Sequence, residues 1–191
     1  LAGFEHDQNM ARIREEIVAL WQTDEVRVVK PTVIDEVKNG TFYFESGLFE
    51  LVPRLYRELE YALRSAYPAH QWRLPPLLRY GSWMGGDRDG NPNVTHTVTA
   101  HTVRMMRAAA LQRHIADIED LSHRLGQSVR QAPVSRELQT SLDRDAADFP
   151  EVAELLAQRN PHELYRQKCT YIREKLLRTL QYTERTTLDW G

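Results

Sequence analysis

The sequence has 191 residues, 41% of them hydrophobic and 27% charged, a balance that suits a folded globular chain and is too apolar for disorder. Lys and Arg number 25 against 27 Asp and Glu, a net charge of −2. That balance argues against general nucleic-acid binding, which needs a strong basic excess to displace counterions, and leaves room only for a local basic site.

In chain order, the first helix is expected over about Asp7 to Gln22, where Met10, Ile13, Ile17 and Leu20 recur at spacings of three and four and form one apolar stripe. "TDEVRVVKP" breaks that pattern and Pro31 marks a boundary. Thr32 can cap a short helix over "VIDEVKNG", with Asp35 in its first turn and Gly40 near its end. The next helix is expected from about Gly47 to Ala66, with Val52, Leu55, Leu59 and Leu63 on one face and Pro53 tolerated in its first turn or two. A proline-rich connection, "AYPAHQWRLPP", leads to "LLRYGSWM", which reads as one short strand. A lone strand leaves its backbone groups unpaired, so either this stretch is irregular or its partner strands lie outside this sequence.

A long helix is expected from about Thr95 to Leu125, burying Leu111, Ile115, Ile118, Leu121 and Leu125 and closing at Gly126. Short helices follow over Arg136–Arg144 and Pro150–Gln158. The last opens on a capping-box pattern of Asn160, Pro161 and Glu163 and carries the stripe Tyr165, Cys169, Ile172, Leu176 and Leu180. Cys169, the sole cysteine, lies on that apolar stripe and reads as a buried, inert thiol. With no internal disulfide and no Cys/His cluster at zinc spacing, a reducing, cytoplasmic setting is expected. No apolar run approaches the ~18 residues of a membrane helix, so no membrane association is expected, and no signal peptide is visible. The fold class is mainly α, with one short strand and no repeat. The start at Leu1, directly into a helical pattern, is expected of a piece of a longer polypeptide.

One loop concentrates the chemistry: "GSWMGGDRDGNPNVT", Gly81 to Thr95. Gly, Asp, Asn and Pro are turn formers, and a plain strand-to-helix turn explains much of it. A calcium loop does not: with Gly90 on the invariant glycine of an EF-hand, its first and twelfth positions fall on Gly85 and His96, neither an acid. An active-site loop is the third reading. Gly85 and Gly86 let backbone approach a ligand or adopt positive φ. Arg88 offers a planar fork to a carboxylate or phosphate, and Asp87 and Asp89 flank it, able to orient it. Residue types alone leave the turn and the active-site readings open.

The loop resembles, almost residue for residue, the signature stretch of the phosphoenolpyruvate carboxylase family. "WQTDEVRVVKPTVIDEVKNG", "YFE" and "VPRLYRELEYAL" resemble what precedes that stretch, so the match covers Asp7 to Thr99. The resemblance implies a barrel of eight strands decorated with many helices. It would make this chain a single helical segment, residues 1–191, excised from that (β/α)8-type barrel. It also implies a carbon–carbon lyase that joins phosphoenolpyruvate and bicarbonate to give oxaloacetate and phosphate with Mg2+ or Mn2+, in a homotetramer. In that setting Trp83 would supply an apolar wall, Arg88 positive charge, Asp87 and Asp89 its orientation, with Asn91 in the same loop, and Gly85, Gly86 and Gly90 the close-approaching backbone.

The sequence departs from the family pattern in lacking a "TAHPTE" segment, a "GRGG" loop and the paired acidic ligands of later strands. No metal ligand or general base is therefore assigned, and the isolated chain is expected to be inactive. His96 and His101 read as solvated or capping, Arg27 as a surface ion pair rather than an anionic effector site, and Trp21, Trp72 and Trp190 as packing residues. The alternative is a non-catalytic helical interaction module that keeps the loop; a much longer gene product bearing the missing motifs separates the two.

Overall fold

The computed structural model describes residues 2–23 and 30–185. Within them the chain is helical with no strand, and it falls into two compact units, 1–32 and 33–191. The calls on Arg27 and Trp190 lie outside the described residues.

The first unit holds α1, Ala2–Gln22, the amphipathic helix the spacing predicts. Its stripe is not buried: Ile13, Ile17 and Leu20 are exposed, and Trp21, read as a packing residue, is 89% exposed.

The second unit opens on α2, Val33–Tyr43, which runs through Gly40 instead of ending there. A Cβ on Gly40 would stand 2.6 Å from Met84 Sδ, so the flexible end of Met84 lies directly over this glycine. The helix continues as a π-helical turn, Phe44–Leu48, into α3, Phe49–Ala66. Pro53 explains the wide turn. Its ring crowds the carbonyl four residues back, at Phe49, and a π turn next to that carbonyl relieves the crowding. None of the side chains of α3 is buried, and its expected apolar face is at best half-covered.

Residues 71–83 form no regular secondary structure, and the expected strand over Leu77 to Met84 does not form. Pro75 and Pro76 supply no backbone donors, and no neighbouring strand exists among the described residues. The N–H groups of Leu77 and Leu78 donate to the Tyr56 hydroxyl on α3 instead, the second at 3.0 Å. Tyr80 packs edge-on against Phe44, centroids 5.2 Å apart. Trp72 packs as expected, its ring 4.4 Å from His70 and 5.8 Å from Tyr67.

The long helix α4, His96–Arg124, starts one residue beyond the expected Thr95, which caps it: Thr95 Oγ1 accepts from Val98 N–H. It packs against α2 and, most extensively, α7, Leu164–Arg185. Its most buried residues are Thr102 and Ala109; Leu111, Ile115, Ile118 and Leu125 are half-buried and Leu121 is exposed. Gly126 has no positive φ and is not a left-handed cap. It makes room for Arg166, whose Nη2 would lie 2.8 Å from a Cβ there and whose Nε donates to Ser122 O.

Helices α5, Arg136–Asp148, and α6, Pro150–Arg159, pack on each other and α5 on α7, around a core of Leu142, Phe149, Leu156 and Tyr171. The capping box before α7 is replaced: Asn160 Nδ2 donates to the Glu163 side chain, and the helix begins one residue beyond it. Cys169 is buried, and burial pushes its thiol above the ordinary value, as an inert thiol requires.

Candidate functional site

The loop from Gly81 to Thr95 is a sequence of small turns pinned at three points. Met84 covers Gly40 on α2, Gly85 sits against Thr102 on α4, and Val94 is buried beside the start of α4. Between these pins the backbone satisfies itself. Trp83 O accepts from the N–H groups of Gly86, at 2.9 Å, and Asp87, at 2.8 Å, closing a tight turn over Met84–Gly86. Gly85 stands at φ +68° and Gly90 at φ +71°, in the left-handed region that L side chains rarely adopt. Gly86, grouped with Gly85 by its residue type, is not in that region.

Two polar side chains of the loop cap its own backbone. Asp87 Oδ1 accepts from the N–H of Asp89 at 3.1 Å, and Asn91 Oδ1 accepts from the N–H of Asn93 at 3.0 Å. Each is an Asx turn, in which a short polar side chain caps backbone two residues on. Asp87 and Asn91 thus shape the loop. Neither Asp87 nor Asp89 pairs with Arg88, which is exposed and has no ion pair among the described residues. Trp83, at the start of the first turn, is 79% exposed.

The loop therefore presents two side chains, an indole and a guanidinium, that its own chain does not use. His96 is exposed and His101 half-buried in the first turns of α4, where Thr95 supplies the cap. Behind the loop lies an apolar cleft of about 240 Å3 lined by Phe44, Phe49, Tyr80, Met84 and Met106. Without a charged lining it does not suit a phosphate- and carboxylate-bearing ligand.

No three His, Cys, Asp or Glu side chains among the described residues are grouped to hold a metal ion, and no helix there is long and apolar enough to cross a membrane.

A family model described as phosphoenolpyruvate carboxylase matches residues 1–189. The phosphoenolpyruvate carboxylase of Roseiflexus castenholzii is 78% identical over the whole of this chain, which covers 20% of that protein. The enzyme of the same name from a Synechococcus species is 42% identical over 88% of the chain and 16% of the relative. That from Parasynechococcus marenigrum is 39% identical over 95% and 18%. The chain spans about a fifth of the length of the curated relatives it matches, and it belongs to the phosphoenolpyruvate carboxylase family.

Proposed function

We propose that this chain is a segment of a cytoplasmic phosphoenolpyruvate carboxylase and that loop 81–95 forms part of the site where bicarbonate is added to phosphoenolpyruvate, giving oxaloacetate and phosphate. One observation carries the assignment of the loop. A backbone fixed by two Asx turns, two left-handed glycines and three packing pins holds out an unpaired Arg88 and an uncovered Trp83. A loop built only to turn the chain has no use for either side chain. Arg88 is suited to a phosphate or carboxylate through its planar fork. Trp83 is suited to shielding, since carboxyphosphate and the enolate of pyruvate are both destroyed by water. The divalent metal of this chemistry finds no donor set among the described residues, so it is left to the remainder of the enzyme and no step is assigned to it here. The homotetramer belongs likewise to the whole protein.

Two experiments test the reading. The purified chain of residues 1–191 is expected to form no oxaloacetate in an assay coupled to malate dehydrogenase; measurable turnover would show that the chemistry needs nothing beyond this segment. In the full-length enzyme, Trp83→Ala is expected to divert part of the phosphoenolpyruvate to pyruvate, because an unshielded enolate takes a proton from water before it meets CO2. An unchanged pyruvate-to-oxaloacetate ratio, with unchanged bicarbonate dependence in a folded variant, removes Trp83 from the site.

A further inference from the structure

Most threonines of the helices, unlike Thr102, bond back to their own helix. Thr41, Thr99, Thr140, Thr170, Thr179 and Thr183 each donate their hydroxyl to the carbonyl four residues back. Thr102, in the second turn of α4 and 3% exposed, makes no such bond, and its Oγ1 has no hydrogen-bond partner among the described residues. A buried hydroxyl left unpaired destabilises the fold, so something else holds the side chain where it is. That neighbour is Gly85. A Cβ built on Gly85 would stand 2.8 Å from Thr102 Cβ and 2.9 Å from Cγ2, and it would collide with Oγ1 as well. The branched end of Thr102 therefore occupies the space a side chain at residue 85 would need, and only glycine fits against it without a shift. The turn seated this way is the one closed by Trp83 O, with Trp83 at its start and Asp87, which shapes the backbone of Arg88 and Asp89, at its end.

We infer that Thr102 is a positioning residue of the carboxylase reaction: its branched side chain seats the Trp83–Asp87 turn on α4 and so sets where Trp83 and Arg88 stand. The inference rests on the assignment of the loop to the active site proposed above. Thr102 touches no substrate; it acts through Gly85.

The test uses the full-length enzyme. Thr102→Ala removes both branches of the seat and lets the turn settle toward α4. It is expected to lower kcat about tenfold with a smaller change in KM for phosphoenolpyruvate, and to raise the share of pyruvate among the products, while the thermal unfolding midpoint moves little. Thr102→Val, which keeps the branched shape without the hydroxyl, is expected to recover most of the turnover lost in the alanine variant. Gly85→Ala is expected to be severely impaired, and the double variant Gly85→Ala/Thr102→Ala to lose less than the product of the two single losses, because the two side chains meet in one space. Should Thr102→Ala not fold, Thr102→Ser, which keeps the hydroxyl and drops the methyl, carries the same comparison against valine. Normal kcat and product ratio in folded Thr102→Ala or Thr102→Ser, or strictly multiplicative losses in the double variant, overturn the inference. The same outcome alongside an Arg88→Lys variant that has lost activity leaves the loop assignment standing; if Arg88→Lys is also unaffected, both fail.

Discussion

Arg88→Lys in the full-length enzyme is expected to lower turnover about a hundredfold, equivalent to ~3 kcal/mol of transition-state stabilisation, with the unfolding midpoint unchanged. The two parts of that expectation have separate grounds. Stability should not move, because Arg88 is exposed and has no ion pair among the described residues, and surface substitutions of that kind fall within about 0.5 kcal/mol. Turnover should move, because lysine keeps the charge but replaces a rigid, bidentate fork with a single flexible ammonium. The loop amplifies the difference. Its backbone around residue 88 is held by the Asp87–Asp89 Asx turn and by Gly90 at φ +71°, so it cannot shift to compensate for a differently shaped head group. Steady-state kinetics with both phosphoenolpyruvate and bicarbonate varied, together with a thermal melt, checks it. Near-normal kcat would make Arg88 an ordinary surface charge and leave the loop a plain turn.

How far the sequence disclosed this arrangement depended on the range of the interactions. Local signals read well. The start of α4 falls within a residue of the expected Thr95, and Gly85 takes the positive φ that its residue type allows. The Asx turns of Asp87 and Asn91 are short-range features of the same kind. An Asx residue two positions before a free N–H is a turn signal in its own right, and it accounts for both without any pairing to Arg88. Longer-range features left no trace in spacing. "LLRYGSWM" has the composition of a strand, yet its amides go to Tyr56, 21 residues earlier, and no periodicity reports a phenol as a surrogate partner. The exposed stripe of α1 and the bare face of α3 show the limit from the other side. Periodicity correctly marks an apolar face, but it does not say whether these 191 residues contain what covers it. The seat that Thr102 makes for Gly85 is equally silent, since a threonine in a helix reads as a neutral residue until the neighbouring loop is placed.

The largest effect on stability is expected at a residue that charge patterning would have put on the surface. Asp145 is 3% exposed, inside the junction of α5 and α7, where its carboxylate accepts from Lys168 Nζ at 2.6 Å and from Lys175 Nζ. Ser141 shares the Lys168 ammonium at 2.6 Å. Burial by itself would raise the Asp145 carboxyl; the hydrogen bonds and charges of the two lysines outweigh it and hold the group below its ordinary 3.8. Removing one member of a buried pair costs about 3–5 kcal/mol, because a charge is left uncompensated. The lysine side chains here are 25% and 44% exposed and can turn partly to water. Asp145→Ala is therefore expected near the lower end, ~3 kcal/mol, a sizeable part of the ~5–15 kcal/mol that holds a typical domain together. The sign of the pH dependence follows from the depressed carboxyl. Its contribution is complete above the unfolded value of 3.8 and is lost as pH falls through the lower, folded value. Urea unfolding of the chain and of Asp145→Ala at pH 7 should differ by the full amount, and the two should converge as pH is taken well below 3.8. A gap at pH 7 under ~1 kcal/mol, or one that persists undiminished in acid, would mean that the lysines hold Asp145 without the fold depending on it. The core of Leu142, Phe149 and Tyr171 would then secure the α5–α7 contact alone.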